Sequence, residues 1–279
     1  MKIVFNNALL RQDELTLPLN DRAFCYGDGL FETLIYRNGQ LAYWPEHFQR
    51  MGRGMTALSM KAPEGFTAQE LENQIRALLS YQPGSMAYRV RIQVWRQPGG
   101  LYTPASAEVN YVISTQPCTP PEVTFKERAF FYDAVPLSFS AISAFKNCNA
   151  LPYVLAAIAK TRAEADDMIL LEVNGNVAEC IASNLFWMKE NTVFTPSLES
   201  GCIDGVMRKM LIQGLRAAGY AMEEGLFSKE TLLQADCVFC CNVAGLQFIE
   251  QVEQVRFPNP KRDSLEKQLK SCISLSDRV

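Results

Sequence analysis

Hydrophobic periodicity along this chain switches repeatedly between two residues and about 3.6, and that switching constrains the fold more than any single motif. Such a chain folds as a mixed α/β (α+β) protein, not as a bundle or a sandwich. MKIVFNNALLRQ and GLFETLIYRNGQLAYW read as hairpins turning at Asn6-Asn7 and at Asn38-Gly39, the second a strong type I′ signal. Pro45 opens a helix with an apolar stripe of Phe48, Met51, Met55 and Leu58, while His47, Arg50 and Gly54 share another face. Thr67 with Glu70 forms a capping-box pattern ahead of Leu71, Ile75, Leu78 and Leu79. MAYRVRIQVWR alternates as a strand, with Tyr88, Val90, Ile92 and Val94 on one face, Arg89, Arg91, Gln93 and Trp95 on the other, and Arg96 at its end.

The length of 279 residues corresponds to about two domains. The prolines of QPCTPP, residues 116–121, break helix and ladder alike and mark the linker between them. The expected organisation is an N-terminal α+β domain over 1–115 and a C-terminal α/β domain over 122–279. In the second half VTFKERAFFY reads as a strand, FSAISAFKNCN as an apolar strand-like stretch and ALPYVLAAIAKTRAEA as a helix. Asn174-Gly175 turns the apolar run 168–173 into one long segment, NVAECIASNLFWM, and residues 189–191 turn that into TVFTP. The loop ESGCIDG feeds the helix VMRKMLIQGLRAAG, with Gly219 as its stop; CVFCCNVAGLQFI is a last strand-like run and KRDSLEKQLKSCI a helical tail.

Charge narrows the function classes. Lys+Arg 27 against Asp+Glu 30 leaves a formal −3, too balanced for the phosphate-neutralising field that nucleic acid or an anionic membrane surface requires. No apolar run approaches the ~18 residues of a membrane span, and the first residues lack the apolar core of a signal peptide, so a cytoplasmic location is expected. Nine cysteines, an odd number, read as reduced and mostly buried thiols. With His47 the single histidine, proton chemistry falls to Lys, Asp, Glu, Tyr or Cys, and metal ligation is not expected.

Five features bear on chemistry. Lys146 lies in an apolar stretch, where a desolvated amine acquires the lowered pKa suited to Schiff-base chemistry; alone, such a lysine is more often partly exposed and ordinary. Glu179 sits among Val177, Ile181 and Leu185, where a carboxylate needs a cationic or protonated partner such as a pyridinium nitrogen, although single glutamates mostly face water. The junction Ile203-Asp204-Gly205-Val206-Met207 aims backbone N–H groups at whatever precedes the helix, a generic anion site shared by most helices. Arg50 offers a guanidinium fork for a phosphate, or is a solvated helix residue. Asn242 offers an amide to the same anion, or forms an Asx turn.

In series, DRAFCYGDGLFETLIYRNG, EHFQRM, FKNCNAL, NVAECIASNLFWM with TVFTP, GVMR and CCNVAG resemble the fold-type IV pyridoxal-phosphate enzymes in content, order and spacing, from about Asp21 to Ile249. That family holds branched-chain aminotransferases, D-amino-acid aminotransferases and aminodeoxychorismate lyases. The resemblance implies a two-domain fold with pyridoxal 5′-phosphate between the domains, a small-molecule amine substrate and a homodimer. It implies that Lys146 binds the cofactor covalently and shuttles the substrate proton, and that Glu179 keeps the pyridine nitrogen protonated. Arg50, the helix start at Gly205, Val206 and Met207, and Asn242 would hold the phosphate; Val243 and Ala244 would lie near the substrate carboxylate. Many members carry a phosphate-binding threonine where Met207 stands, so only a backbone contact is expected there.

Within the family the chain resembles the lyases more than the transaminases. Leu151 stands where branched-chain aminotransferases have a cofactor-reaching tyrosine, and Thr33 after Phe31-Glu32 matches the lyases' catalytic threonine. Thr33 would position substrate or relay a proton beside Phe31, and Arg91 or Arg96 would clamp a substrate carboxylate. Gly99-Gly100-Leu101-Tyr102 departs from the lyases' G-G-R-G-Y pattern, which favours the runner-up, an amino-acid aminotransferase. A third reading is a non-catalytic binding homologue, against which the retained Lys146 speaks.

Overall fold

The computed structural model describes residues 1–82, 84–120, 122–257, 265–267 and 269. The chain divides into two compact units, one made of Met1–Pro120 with Phe145–Asn149, the other of Pro121–Ala144 with the residues from Ala150 onward.

In the first unit β1 (Lys2–Phe5) and β2 (Ala8–Arg11) form a hairpin at Asn6 and Asn7, whose φ of +46° and +68° is what the tight turn requires. A short α1 (Arg22–Tyr26), capped by Asp21, leads into β3 (Gly29–Arg37) and, across Asn38-Gly39, β4 (Gln40–Leu41). Then come α2 (Trp44–Ala57), α3 (Ala68–Leu79, its Thr67 accepting from the Glu70 N–H), β5 (Ala87–Arg96) and β6 (Val109–Cys118). The antiparallel sheet runs β2-β1-β6-β5-β3-β4. The core joins Leu30 and Leu34 of β3 and Val90, Ile92 and Val94 of β5 to Met51, Met55, Leu71 and Ile75 of the two helices. Each such side chain contributes about 1.5–3 kcal/mol by leaving water.

Strand parity places a carboxylate inside that core. Leu30, Glu32 and Leu34 share one face of β3, so Glu32 is buried, and His47 and Arg50 of α2 are buried with it. Arg50 grips Glu32 bidentately, Nε donating to Oε1 at 2.7 Å and Nη2 to Oε2 at 2.6 Å, while His47 Nδ1 lies 2.8 Å from Oε2. Burial alone raises the Glu32 pKa, but Arg50 and His47 outweigh it and bring it to about 2. His47 is held below its ordinary pKa, first by burial, so at neutral pH Nδ1–H is the donor to Glu32.

A second buried ion group accounts for the DRAFCYGDG segment. Asp28 Oδ2 accepts from Arg22 Nε at 2.7 Å and from Arg96 Nε at 2.9 Å; Arg96 also donates to the carbonyls of Leu58 and Ser59. Asp21 caps α1 and accepts from Trp95 Nε1 at 2.7 Å.

The second unit holds β7 (Glu122–Leu137), α4 (Leu151–Arg162), β8 (Asp167–Glu172), β9 (Val177–Cys180), β10 (Asn184–Lys189), β11 (Thr192–Pro196), α5 (Val206–Ala217), β12 (Ala221–Gly225), α6 (Lys229–Leu233), β13 (Cys237–Asn242), β14 (Gly245–Val252) and β15 (Val255–Arg256). The sheet order is β12-β11-β10-β13-β14-β7-β8-β9, and β9 also pairs with β10, so six strands close into a barrel without open edges. Ile169, Leu171, Val177, Leu185, Trp187, Val238 and Ile249 belong to one core, and Phe186, Phe239, Phe248 and Phe125 form a run of ring contacts across β10, β13, β14 and β7.

Several expectations are corrected. NVAECIASNLFWM is two strands, broken at 181–183, so that β9 turns back on β10 and Asn184 faces Glu179. CVFCCNVAGLQFI is likewise a hairpin, with Ala244 N–H donating to Asn242 Oδ1 in the turn. The strands in both runs are buried on both faces, which removes the polar–apolar period that would reveal a turn. β6 continues to Cys118 through Pro117, within the expected linker, and the boundary between units falls at 120/121. FSAISAFKNCN is turn and bend rather than strand, and its end, residues 145–149, belongs to the N-terminal unit. Of the expected tail helix, Leu265–Lys267 and Leu269 are helical and the remainder lies outside the described residues.

The buried charges give the N-terminal unit a defined acid sensitivity. Unfolded Glu32 takes up a proton near pH 4.5 and folded Glu32 near pH 2, so its contribution, about 3 kcal/mol, is complete above the unfolded value and is lost as pH falls through that window. His47, depressed in the folded state, adds a loss that begins as pH falls below 6.5. Urea unfolding at graded pH should show both segments. Glu32→Gln should cost about 3–5 kcal/mol at pH 7, by replacing with a neutral amide the carboxylate that Arg50 and His47 share, and remove the acidic one; an unchanged acid slope in that variant would contradict the assignment.

Candidate active site

Lys146 is fixed by its backbone. Phe31 N–H donates to the Lys146 carbonyl and Cys148 N–H to the Gly29 carbonyl, both at 2.9 Å, so Leu30 and Asn147 form an antiparallel bridge on the edge of β3. The approach is close enough to demand glycines: a Cβ on Gly54 would lie 2.9 Å from Leu30 Cδ2 and 3.3 Å from the Phe145 ring, and one on Gly27 (φ +64°) 3.0 Å from Asn149 Cβ. Lys146 is half-buried, with Nζ 5.4 Å from the centre of the Phe31 ring. Its charge is among those that hold His47 neutral, and His47 Nε2 is buried without a hydrogen-bond partner among the described residues.

Phe31 and Thr33 lie on the β3 face opposite Glu32, both half-buried. Thr33 pairs in register with Arg91 of β5, whose guanidinium carbon sits 3.8 Å from the Phe31 ring centre. Phe31, Thr33, Arg91 and Lys146 are therefore gathered in the N-terminal unit. Arg96 is elsewhere: buried, with all three nitrogens engaged by Asp28, Leu58 and Ser59, it is an architectural residue and not a clamp.

In the C-terminal unit Glu179 is 3% exposed. Its Oε1 accepts from Tyr153 Oη at 2.7 Å and from the Ile203 N–H at 3.1 Å, and its Oε2 from Asn184 Nδ2 at 3.1 Å. These three donors are uncharged. Burial, reinforced by the Glu179 carboxylate, pushes the Tyr153 hydroxyl far above its ordinary pKa, so it stays a donor. Asn184 Nδ2 also donates to the Ile203 carbonyl at 2.8 Å, tying Glu179 to the loop that precedes α5.

That loop ends in a cradle only glycine permits. A Cβ on Gly205, the N-cap of α5, would sit 1.9 Å from Asn184 Oδ1. No side chain caps the helix, and Val206 and Met207 bury their side chains, so this N-terminus presents backbone. Asn242 forms the Asx turn to Ala244 and donates to the Ala182 carbonyl at 3.0 Å, joining the two turns at 181–183 and 243–244. The Ala244 amide is thus engaged inside the turn.

These residues fit pyridoxal phosphate: a half-buried lysine for its carbonyl carbon, a buried carboxylate for a protonated pyridine nitrogen, and an uncapped helix start with a glycine cradle for its phosphate. Glu32, Tyr153 and Asn184 escape the sequence reading. Strand parity points to Glu32 inside an apolar face, whereas Tyr153 and Asn184 are set by long-range packing that leaves no local mark.

The chain is 31% identical over 252 residues to the aminodeoxychorismate lyase of Vibrio harveyi, covering 88% of this chain and 90% of that one. It is 24% identical over 279 residues to a D-alanine aminotransferase of Listeria monocytogenes, covering 96% and 93%. Its fold superposes on the T.th. branched-chain amino acid aminotransferase, solved with N-(5′-phosphopyridoxyl)-L-glutamate, with a TM-score of 0.85 at 21% identity over 98% and 94% of the two chains. The description Amino-transferase class IV matches residues 29–252, four-fifths of the sequence, and the chain belongs to that family of enzymes.

Proposed function

We propose that this protein is a pyridoxal-phosphate-dependent 4-amino-4-deoxychorismate lyase, which eliminates pyruvate from its substrate and leaves p-aminobenzoate, a folate precursor. The observation that carries the reading is the pairing of Thr33 with Arg91 beside Phe31 and Lys146, a hydroxyl and a guanidinium suited to a carboxylated substrate. The 31% identity to a lyase over most of both chains supports it.

Bound pyridoxal phosphate supplies an electron sink for the carbanion. Lys146 Nζ would hold the cofactor and, as a free amine, would take the proton from the amine-bearing carbon of the substrate; loss of the enolpyruvyl group would restore aromaticity. Glu179, fixed by Tyr153 and Asn184, would hold a proton on the ring nitrogen. Arg50, oriented by Glu32, and the amides at Gly205, Val206 and Met207 would be the groups to hold the phosphate, with Asn242 shaping the turns near α5. Arg91 pairs with a substrate carboxylate, Thr33 positions substrate or relays a proton, and Val243 with Ala244 borders the substrate.

An amino-acid aminotransferase is the second reading. Leu101 stands exposed where the lyase pattern has arginine, in a loop whose Gly99 and Leu101 carbonyls are held by Arg22 Nη1. The proposal includes a cytoplasmic homodimer: α4 exposes an apolar stripe, Leu151, Val154, Leu155 and Ile158, at helical spacing, which a second subunit would cover. No helix among the described residues is long and apolar enough to cross a membrane.

Purified enzyme given aminodeoxychorismate should release pyruvate and p-aminobenzoate in equal amounts without a keto acid; turnover that requires an added keto acid would establish the second reading instead. Titrated with pyridoxal phosphate, the wild type should gain an absorbance band near the visible edge that Lys146→Ala lacks, and Gly205→Ala should weaken cofactor retention on dialysis by about tenfold or more, since its methyl displaces Asn184. Glu179→Gln should lower turnover about 10²–10³-fold while leaving the fold intact; near-normal turnover would remove Glu179 from its role. Sedimentation should give a dimer, and Leu155→Asp with Ile158→Asp a monomer; a wild-type monomer would remove α4 from that role.

A further inference from the structure

One end of the C-terminal barrel holds a cluster that the reaction does not use. Lys126 near the start of β7, Asp167 opening β8, Cys180 ending β9 and Cys240 on β13 converge there, Asp167 and both cysteines buried. The Lys126 ammonium pairs with Asp167 and lies 3.4 Å from Cys240 Sγ. Cys180 Sγ, Cys240 Sγ and an Asp167 oxygen all lie within 4.8 Å of one another. Asp167 Oδ1 is taken by the Met168 and Ile181 N–H groups, so the carboxylate is anchored from two sides.

Strand geometry selects which thiols meet. Cys237, Cys240 and Cys241 are all on β13, but successive side chains of a strand alternate, so neither Cys237 nor Cys241 shares a face with Cys240. The partner is Cys180, two strands away through β10, with which both β9 and β13 pair. We propose that Cys180 and Cys240 are an oxidation-sensitive thiol pair, a modification site in which peroxide converts the two thiols to a disulfide across the barrel.

The division of labour follows from the surroundings. The hydrogen bond from Cys180, then the Lys126 charge, lowers the Cys240 pKa against burial and Asp167, while the same hydrogen bond raises that of Cys180. The Ser183 hydroxyl and Gln247 of β14 are further polar neighbours of Cys240; Gln247 lies 3.9 Å from its Sγ and itself contacts the exposed Thr124, so the pair lies one side-chain layer from solvent. Cys240 as thiolate attacks peroxide, forming an S–O bond as the O–O bond breaks and hydroxide leaves with a proton from solvent. The Cys180 sulfur then displaces that oxygen, its own proton departing with it as water; two thiols and one peroxide give one disulfide and two waters. The sulfurs must close to about 2 Å.

Two other uses of the cluster are disfavoured. A metal ion would have to displace the ammonium already seated between Asp167 and Cys240. Lys126 is itself held as an ammonium, its pKa raised above the ordinary value by Cys240, Cys180 and Asp167 despite burial, and so is no nucleophile toward an oxidised sulfur.

The test uses the intact protein. After peroxide, denaturation and alkylation, peptide mapping should show Cys180 and Cys240 lost together from the alkylated pool, joined as one peptide pair lighter by two hydrogens and restored by dithiothreitol. Loss should quicken with pH in a range below that of ordinary thiols. In Cys180→Ser, Cys240 should instead be trapped by dimedone as a sulfenic acid. The proposal is overturned if both thiols stay alkylatable once the exposed Cys25 is oxidised, or if Cys240 joins Cys241. A Lys126–Cys240 link gaining one oxygen, or zinc that persists through desalting and needs Cys240, would overturn it equally. Because Glu179 adjoins Cys180, oxidation should also slow turnover, a consequence that rests on the proposed activity, whereas the peptide map does not.

Discussion

Two main-chain hydrogen bonds, between residues 146 and 31 and between 148 and 29, are what the rest of this structure depends on. They extend the edge of β3 by one short antiparallel bridge and so make the segment that carries Lys146 part of the N-terminal sheet. Gly27 and Gly54 are spent on the closeness of that approach, since a Cβ at either would meet the arriving segment. The lysine's backbone is thereby tied to a sheet strand.

Several buried charges in both units are held by ion pairs. Glu32 is held by Arg50 and His47, Asp28 by Arg22 and Arg96, Asp167 by Lys126 and two backbone amides. Glu179 accepts from Tyr153, Asn184 and the Ile203 amide, donors that fix its orientation.

Sequence alone discloses most of the elements and singles out two candidate residues, for identifiable reasons. Asn6-Asn7 and Asn38-Gly39 announce their turns because positive φ restricts residue type, and Thr67 announces α3 because a cap needs an acceptor. Lys146 and Glu179 stand out as charges in apolar company. What is hidden arises where local pattern carries no record of distant pairing. The strand break at 181–183 lies in a run buried on both faces, and the assignment of residues 145–149 to the N-terminal unit depends on a bridge to residues more than a hundred positions earlier. Arg96 shows the converse error: a terminal-strand arginine suits a substrate clamp in sequence, but the structure engages it fully with Asp28 and two carbonyls.

The central claim is that Lys146, and no other lysine, carries the cofactor. Loading the protein with pyridoxal phosphate, fixing the linkage with borohydride and mapping the labelled peptide tests it directly. The account predicts one phosphopyridoxyl group per chain, on Lys146. A label on Lys126 or any other lysine, or none at all, would contradict it.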